Sequence, residues 1–416
     1  MKQTKITKIE AREILDSRGN PTVETTVWAG GVSATASVPS GASTGSHEAI
    51  ELRDRDPKRY QGLGVFKACQ QVNRTIFPAV KGLNPKQQEV IDSLMIDLDG
   101  TPNKAKLGAN AILSVSLACA RLAAKLEGQE LYQYLANHYG YEIKHMPVPL
   151  FNVINGGRHA ASGLDIQEYF LIPQRGKFVE RLRQAAEVYQ VLKKNLQKQG
   201  FGTDVGDEGG FAPHLPTNQK GLAELAKAVK DTGYRLGKDF RLGVDAAASE
   251  FYNVKKESYR LNASQITYKP NNIYQLYEHW VNEYHLQIIE DGCSEDDFSG
   301  WQLLTQHLGS KAILVGDDLF VTNTERIQNG IIHGIANAVL IKPNQIGTLT
   351  ETIAAINLAQ QNNYRVVISH RSGETLDSFI ADLAVAVNAD FIKAGAPARG
   401  ERLAKYNRLA QIEQQL

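Results

Sequence analysis

The sequence predicts an α/β protein, an eight-stranded β/α barrel preceded by a smaller α+β N-terminal domain. Three observations predict it. The second half contains short apolar runs, each closed by a polar or charged residue: 242–245, 288–290, 313–317, 339–342, 366–370 and 391–393. Between most of them lies one amphipathic helical segment, such as 350–362. The steps are about 25 residues, the size of one β/α unit of a barrel, apart from a longer one between Asp245 and Glu290. Continuous apolar strands alternating with helices imply a parallel sheet covered by helices.

The first third reads differently. Residues 6–15, 22–28 and 32–38 alternate as strands, and Gly30-Gly31 marks a tight hairpin turn between the second and third. Residues 109–126 form an alanine-rich helix whose apolar face is broad enough to predict burial. Pro147 and Pro149 follow, so the expected domains are 1–140 and 141–416.

Composition narrows the function classes. Lys plus Arg is 46 and Asp plus Glu is 45, a balance that gives no electrostatic case for binding nucleic acid or anionic membrane. Cys69, Cys119 and Cys293 are far apart, which disfavours a disulfide framework or a thiolate metal site. The first residues lead into an alternating stretch and not a signal-peptide run, and no segment reads as the roughly 20 apolar residues of a membrane span. A cytoplasmic location is the expectation.

A barrel makes the run ends chemically interesting, because parallel strands end on one rim and barrel active sites occupy it. Asp245, Glu290, Asp317, Lys342, His370 and Lys393 are expected to converge there. Three carboxylates from successive strand ends suit magnesium, which takes hard oxygen ligands; salt bridging to neighbouring lysines is the other reading. Lys342 and Lys393 are base candidates, since nearby cations depress a lysine pKa; counter-ion roles are the alternative. Two acids, Asp207 and Glu208, sit among the glycines of 206–211, and the loops 39–45 and 155–159 fit either a mobile lid or a phosphate cradle. Arg371 and Ser372 lie just past a run, where an arginine fork recognises phosphate or carboxylate or makes a structural salt bridge. Together these parts fit metal-stabilised proton abstraction next to a carboxylate.

Longer stretches carry a resemblance. They include ILDSRGNPTVE at 14–24, VPSGASTG at 38–45, KLGANAIL at 106–113, NVINGGRHA at 152–160, DIQEY at 165–169 and GDEGGFAP at 206–213. ASEFY at 248–252, VGDDLFVTN at 315–323, IKPNQIGTLTET at 341–352, SHRSGET at 369–375 and GERLAKYNRL at 400–409 continue it. Over essentially its whole length the chain resembles the enolases. The resemblance implies reversible dehydration of 2-phosphoglycerate to phosphoenolpyruvate with two magnesium ions per active site. It implies Asp245, Glu290 and Asp317 as ligands of one ion, Glu290 and Asp317 also bordering the substrate, and Ser43 at the other ion. Lys342 matches the base, Glu208 the acid that helps expel the C3 hydroxyl, and Lys393 a substrate contact. Arg371 and Ser372 match the phosphate-binding pair, and His159, Gln167, Glu168 and His370 the pocket lining. A homo-oligomer, dimer or octamer, is implied too.

Some positions depart from the family pattern: Arg55 in place of a common glycine, Leu63 in place of a lysine, Ser162-Gly163 in the second loop, and Pro343 directly after the expected base. The rival readings are a paralogue acting on a related phosphonate or hydroxy-acid, and a non-enzymatic surface role such as plasminogen binding. The terminal stretch 412–416 has no lysine to favour the latter.

Overall fold

The computed structural model describes residues 4–41, 45 and 47–416. The chain divides into two compact units. Unit 1 comprises Met1–His145 with Ile341–Asn357 and His370–Asn388; unit 2 comprises Met146–Leu340, Leu358–Ser369 and Ala389–Leu416.

Unit 1 begins with an antiparallel meander, β1 (Ile6–Leu15), β2 (Pro21–Ala29) and β3 (Val32–Ser37). Gly30 and Gly31 join β2 to β3 with φ of 60° and 84°, the left-handed backbone that a tight two-residue hairpin demands. Along β2, Val23, Thr25, Val27 and Ala29 are buried at every second position, so one face of the sheet is apolar. The helix Ala109–Glu127 covers that face, and its small alanines allow close approach. Thr25 and Ser114 satisfy each other's buried hydroxyls at 2.6 Å. The helix stops at Gly128, a left-handed C-cap (φ 65°). Among the described residues it alone has the length and apolarity to cross a membrane, but most of it is buried inside the unit as a core helix, the burial its broad apolar face predicts.

A half-buried charge pair helps tie the 370–388 segment into unit 1. Arg121, on the long helix, donates from Nη1 and Nη2 to Asp377 at 2.5 and 2.7 Å. Asp377 also accepts from the backbone N–H groups of Ser37 and Phe379. Burial works to raise the Asp377 pKa, but Arg121 and these donors outweigh it and hold it below the usual carboxylate range. Arg55 adopts φ 57°, which explains why glycine suits that position and gives this chain a strained residue there.

Unit 2 is built on a closed eight-stranded barrel in the order β10-β11-β12-β13-β14-β4-β5-β6. The strands are β4 (Val148–Asn155), β5 (Glu168–Pro173), β6 (Phe240–Asp245), β10 (Leu286–Glu290), β11 (Ile313–Gly316), β12 (Ala338–Ile341), β13 (Arg365–Ser369) and β14 (Phe391–Lys393). Leu150, Phe170, Ile172, Ile288, Val315, Leu340, Val367 and Phe391 fill the interior. Each such side chain contributes about 1.5–3 kcal/mol by leaving water.

The sheet is not wholly parallel as expected. β5 pairs antiparallel with both β4 and β6, because β4 returns through a loop and not through a crossover helix. Two helices, Phe178–Lys198 and Asn218–Asp231, then lead to β6. The long step between Asp245 and Glu290 is filled by a small antiparallel sheet, β7 (Tyr252–Asn253), β8 (Ser258–Leu261) and β9 (Ile266–Tyr268), and by the helix Tyr274–Tyr284.

Candidate active site

The reversed strand decides which residues meet at the rim. Asp245 and Glu290 are the last residues of β6 and β10 and stand in register. Glu168 is the first residue of β5, and the reversal places it opposite Asp245 on its other side. Lys393 ends β14. Its ammonium lies 2.8 Å from Glu290 Oε1, 3.1 Å from Glu168 Oε1 and 3.5 Å from Asp245 Oδ2. It also stands 5.1 Å from the Phe170 ring centre, a cation–π distance.

Around this knot the second coordination of contacts is dense. Gln167 Nε2 donates to Asp245 Oδ2 at 3.0 Å, and the Ala247 N–H donates to Oδ1 at 2.9 Å. His159, on a single turn after β4, places Nδ1 3.3 Å from Glu168 Oε1 and 3.7 Å from Glu208 Oε1. Asn152 of β4 donates to Glu208 Oε2 at 2.9 Å. The Glu208 loop is close-packed: a Cβ at Gly206 or Gly210 would come within 2.8 or 2.6 Å of Asn155 Oδ1, so both positions require glycine. Tyr189 donates to the Gly209 carbonyl and Arg402 to that of Asp207, which fixes the loop from outside.

The electrostatics follow from burying four acids with few cations. Burial and then Glu208 push Glu168 up to about 7, against the pull of Lys393. Burial lifts Glu290 well above the carboxylate range; Lys393 opposes this, while Asp245 and Asp317 add to it. Asp245 and Glu290 stand in register at neighbouring strand ends, and Asp317 directly follows the next strand, β11. Burial disfavours charged His159, yet Glu208 and Glu168 prevail and raise its pKa. For Lys393 the sequence expectation of a depressed pKa reverses: burial lowers it, but Glu168, Glu290, Asp245 and Glu208 hold it well above the ordinary lysine value.

Two sets of side chains offer ligand atoms within 4.8 Å of one another: His159, Glu168 and Glu208, and Asp291, Asp317 and Asp318. Asp291 accepts from the backbone N–H groups of Asp317 and Asp318, both at 2.9 Å, and so shapes the turn after β11. The donors fit magnesium chemically. All but the His159 nitrogen are hard oxygens, and Glu290 Oε2, Glu168 Oε2 and Gln167 Oε1 are buried with no hydrogen-bond partner.

The remaining expected residues belong to unit 1. Lys342 directly follows β12 in the chain and keeps extended backbone (φ −124°, ψ 104°), because the proline after it disfavours the helical region. Pro343 opens the short turn Pro343–Ile346, a position where its missing N–H costs nothing. His370, Arg371 and Ser372 follow β13 and are buried. Arg371 donates to Glu48 Oε2 at 2.8 Å and Oε1 at 3.3 Å, and to Asn344 Oδ1 at 3.3 Å. The Ser372 carbonyl accepts from Ser17 Oγ. Ser43 lies outside the described residues.

Residues 143–416 match the family model described as enolase, C-terminal TIM barrel domain, and residues 6–135 match that of the enolase N-terminal domain. The chain belongs to the enolase superfamily. Its domains point to a superfamily lyase with a small-molecule substrate, and members of that superfamily bind magnesium. Periodicity alone missed Glu168, Asn152 and Glu48. Glu168 opens a strand where the other rim residues close one, and the asparagine and Glu48 signals are ordinary loop or strand chemistry.

Proposed function

We propose that the chain reversibly dehydrates 2-phospho-D-glycerate to phosphoenolpyruvate. The observation that carries this reading is the rim cluster of Glu168, Asp245 and Glu290 around Lys393, with buried carboxylate oxygens left for a cation, inside a chain that matches both enolase domains.

Asp245, Glu290 and Asp317 are the residues that would hold one magnesium ion and Ser43 would serve a second, and together the two ions would supply positive charge against the negative charge that develops on the substrate carboxylate. The chain's own groups do the rest. The Lys342 amine takes the C2 proton. Glu208 donates a proton as the C3–O bond breaks, so the electron pair of the C2–H bond becomes the new C2–C3 π bond and water departs. Asn152 holds the Glu208 carboxyl by a hydrogen bond, with the His159 ring nitrogen 3.7 Å from its other oxygen. Arg371 and Ser372 would bind the phosphate, and Lys393, Gln167, Glu168, His370, Glu290 and Asp317 would make the further substrate contacts. A cytoplasmic homo-oligomer is part of the same reading.

Adding 2-phosphoglycerate and magnesium to the purified chain should raise the ultraviolet absorbance of the enol phosphate. Turnover of a phosphonate or hydroxy-acid analogue well above that of 2-phosphoglycerate would overturn the choice of substrate.

A further inference from the structure

We infer that Glu48 is a positioning residue for anion recognition, holding the Arg371 guanidinium in the plane in which it meets a phosphate. The inference rests on the proposed reading of Arg371 as a phosphate ligand.

Glu48 is 8% exposed and Arg371 4% exposed, so the pair is screened little by water. The two Glu48 oxygens face the two Nη atoms of Arg371, an end-on fork that fixes both the position and the rotation of the guanidinium. An arginine side chain otherwise carries large rotamer freedom, which an incoming anion would have to freeze. Glu48 itself is held from elsewhere. The Gly45 N–H donates to its Oε1 at 3.0 Å and Gln345 Nε2 to the same oxygen at 3.3 Å. The Ala49 N–H donates to the Gln345 carbonyl at 2.9 Å. Asn344, beside Gln345, accepts from Arg371. Glu48 thus joins the end of the 39–45 loop, the turn that follows Lys342 and the arginine fork in one network within unit 1. A buried ion pair contributes little net stability compared with apolar packing of the same volume. Its function here is geometric: the arginine stays charged, oriented and ready.

The test compares Glu48→Gln, which keeps shape and loses charge, and Glu48→Asp, which keeps charge and loses reach, with Arg371→Met. Two quantities are read: KM against kcat for 2-phosphoglycerate, and binding of inorganic phosphate to the magnesium-loaded chain by calorimetry. Glu48→Gln should weaken phosphate binding and raise KM by about tenfold or more with a much smaller change in kcat, because uniform binding is lost. Glu48→Asp should recover part of the loss. Should one variant fail to fold, the other carries the comparison. Phosphate binding within about twofold of wild type in the Glu48 variants, with binding abolished in Arg371→Met, would overturn the role of Glu48 while leaving the anion site intact. Unchanged phosphate binding in Arg371→Met would overturn the reading of Arg371 and this inference with it.

Discussion

Lys393→Met is the most informative single change. It replaces an ammonium that sits 2.8–3.5 Å from Glu290, Glu168 and Asp245 with an uncharged side chain of similar volume. Lys393 is 3% exposed and its partners no more than 3%, so water cannot take its place. Removing one partner of a buried ion pair costs about 3–5 kcal/mol because the other charge is left uncompensated. In a unit of this size 1 kcal/mol moves the melting temperature by about 2–4 °C, so the metal-free variant should melt roughly 6–20 °C below wild type. Magnesium should then restore more stability to the variant than to wild type, because the amine no longer competes for Glu290 and Asp245. A ligand at about 100 times its Kd contributes ~2.7 kcal/mol, which sets the scale of that recovery. The assay is differential scanning calorimetry in chelator and in a magnesium titration. A metal-free Lys393→Met melting point equal to that of wild type would refute the reasoning, and so would a smaller magnesium shift in the variant.

Other outcomes test different parts of the molecule. Lys342→Ala should abolish exchange of the C2 proton with solvent, whereas Glu208→Gln should block dehydration and keep much of that exchange; tritium wash-out separates the two, and the opposite pattern would exchange the roles. The Arg121–Asp377 pair sets an acid limit. Because the folded Asp377 pKa lies below its unfolded value, the stabilisation is complete above about pH 4 and disappears as pH falls through the folded value. Asp377→Asn should flatten that acid-side slope in urea unfolding, and Arg121→Met should cost ~1.5–3 kcal/mol near neutral pH, the scale of a half-buried charged hydrogen bond. Arg55→Gly should raise stability by up to ~1 kcal/mol by relieving the left-handed strain of an exposed side chain; an unchanged urea midpoint counts against the strain. Chelation should eliminate activity and added magnesium should restore it.

Much of the barrel was legible because its physics is periodic. The runs ending at Asp245, Glu290 and Lys393 are strands that end on those residues, and Lys342 directly follows one; the strand interiors are apolar because they face the barrel core. The meander and its diglycine turn were legible for the same kind of reason, since alternation and positive φ leave local marks. The β4–β5 return was not. Both strands are buried over nearly their whole length, so they show no alternation, and nothing local reports that β5 runs backwards. That reversal hides Glu168, which sits at the start of its strand. The sign of the Lys393 shift was equally illegible, since it depends on how many acids gather around one amine and not on the amine's own neighbours in sequence. The buried face of the alanine-rich helix was readable; its partner strand contact through Thr25 and Ser114 was not.

The strand order has a kinetic corollary. β4, β5 and β6 can pair through short connections, whereas β14 must reach back across most of the barrel sequence to lie beside β4 and close the ring. Lys393 travels on that last strand. Until it docks, Glu168, Asp245 and Glu290 sit side by side with their mutual repulsion unrelieved. Ring closure in refolding should therefore be the slow event, hastened by salt or by divalent ions that screen those acids before the amine arrives.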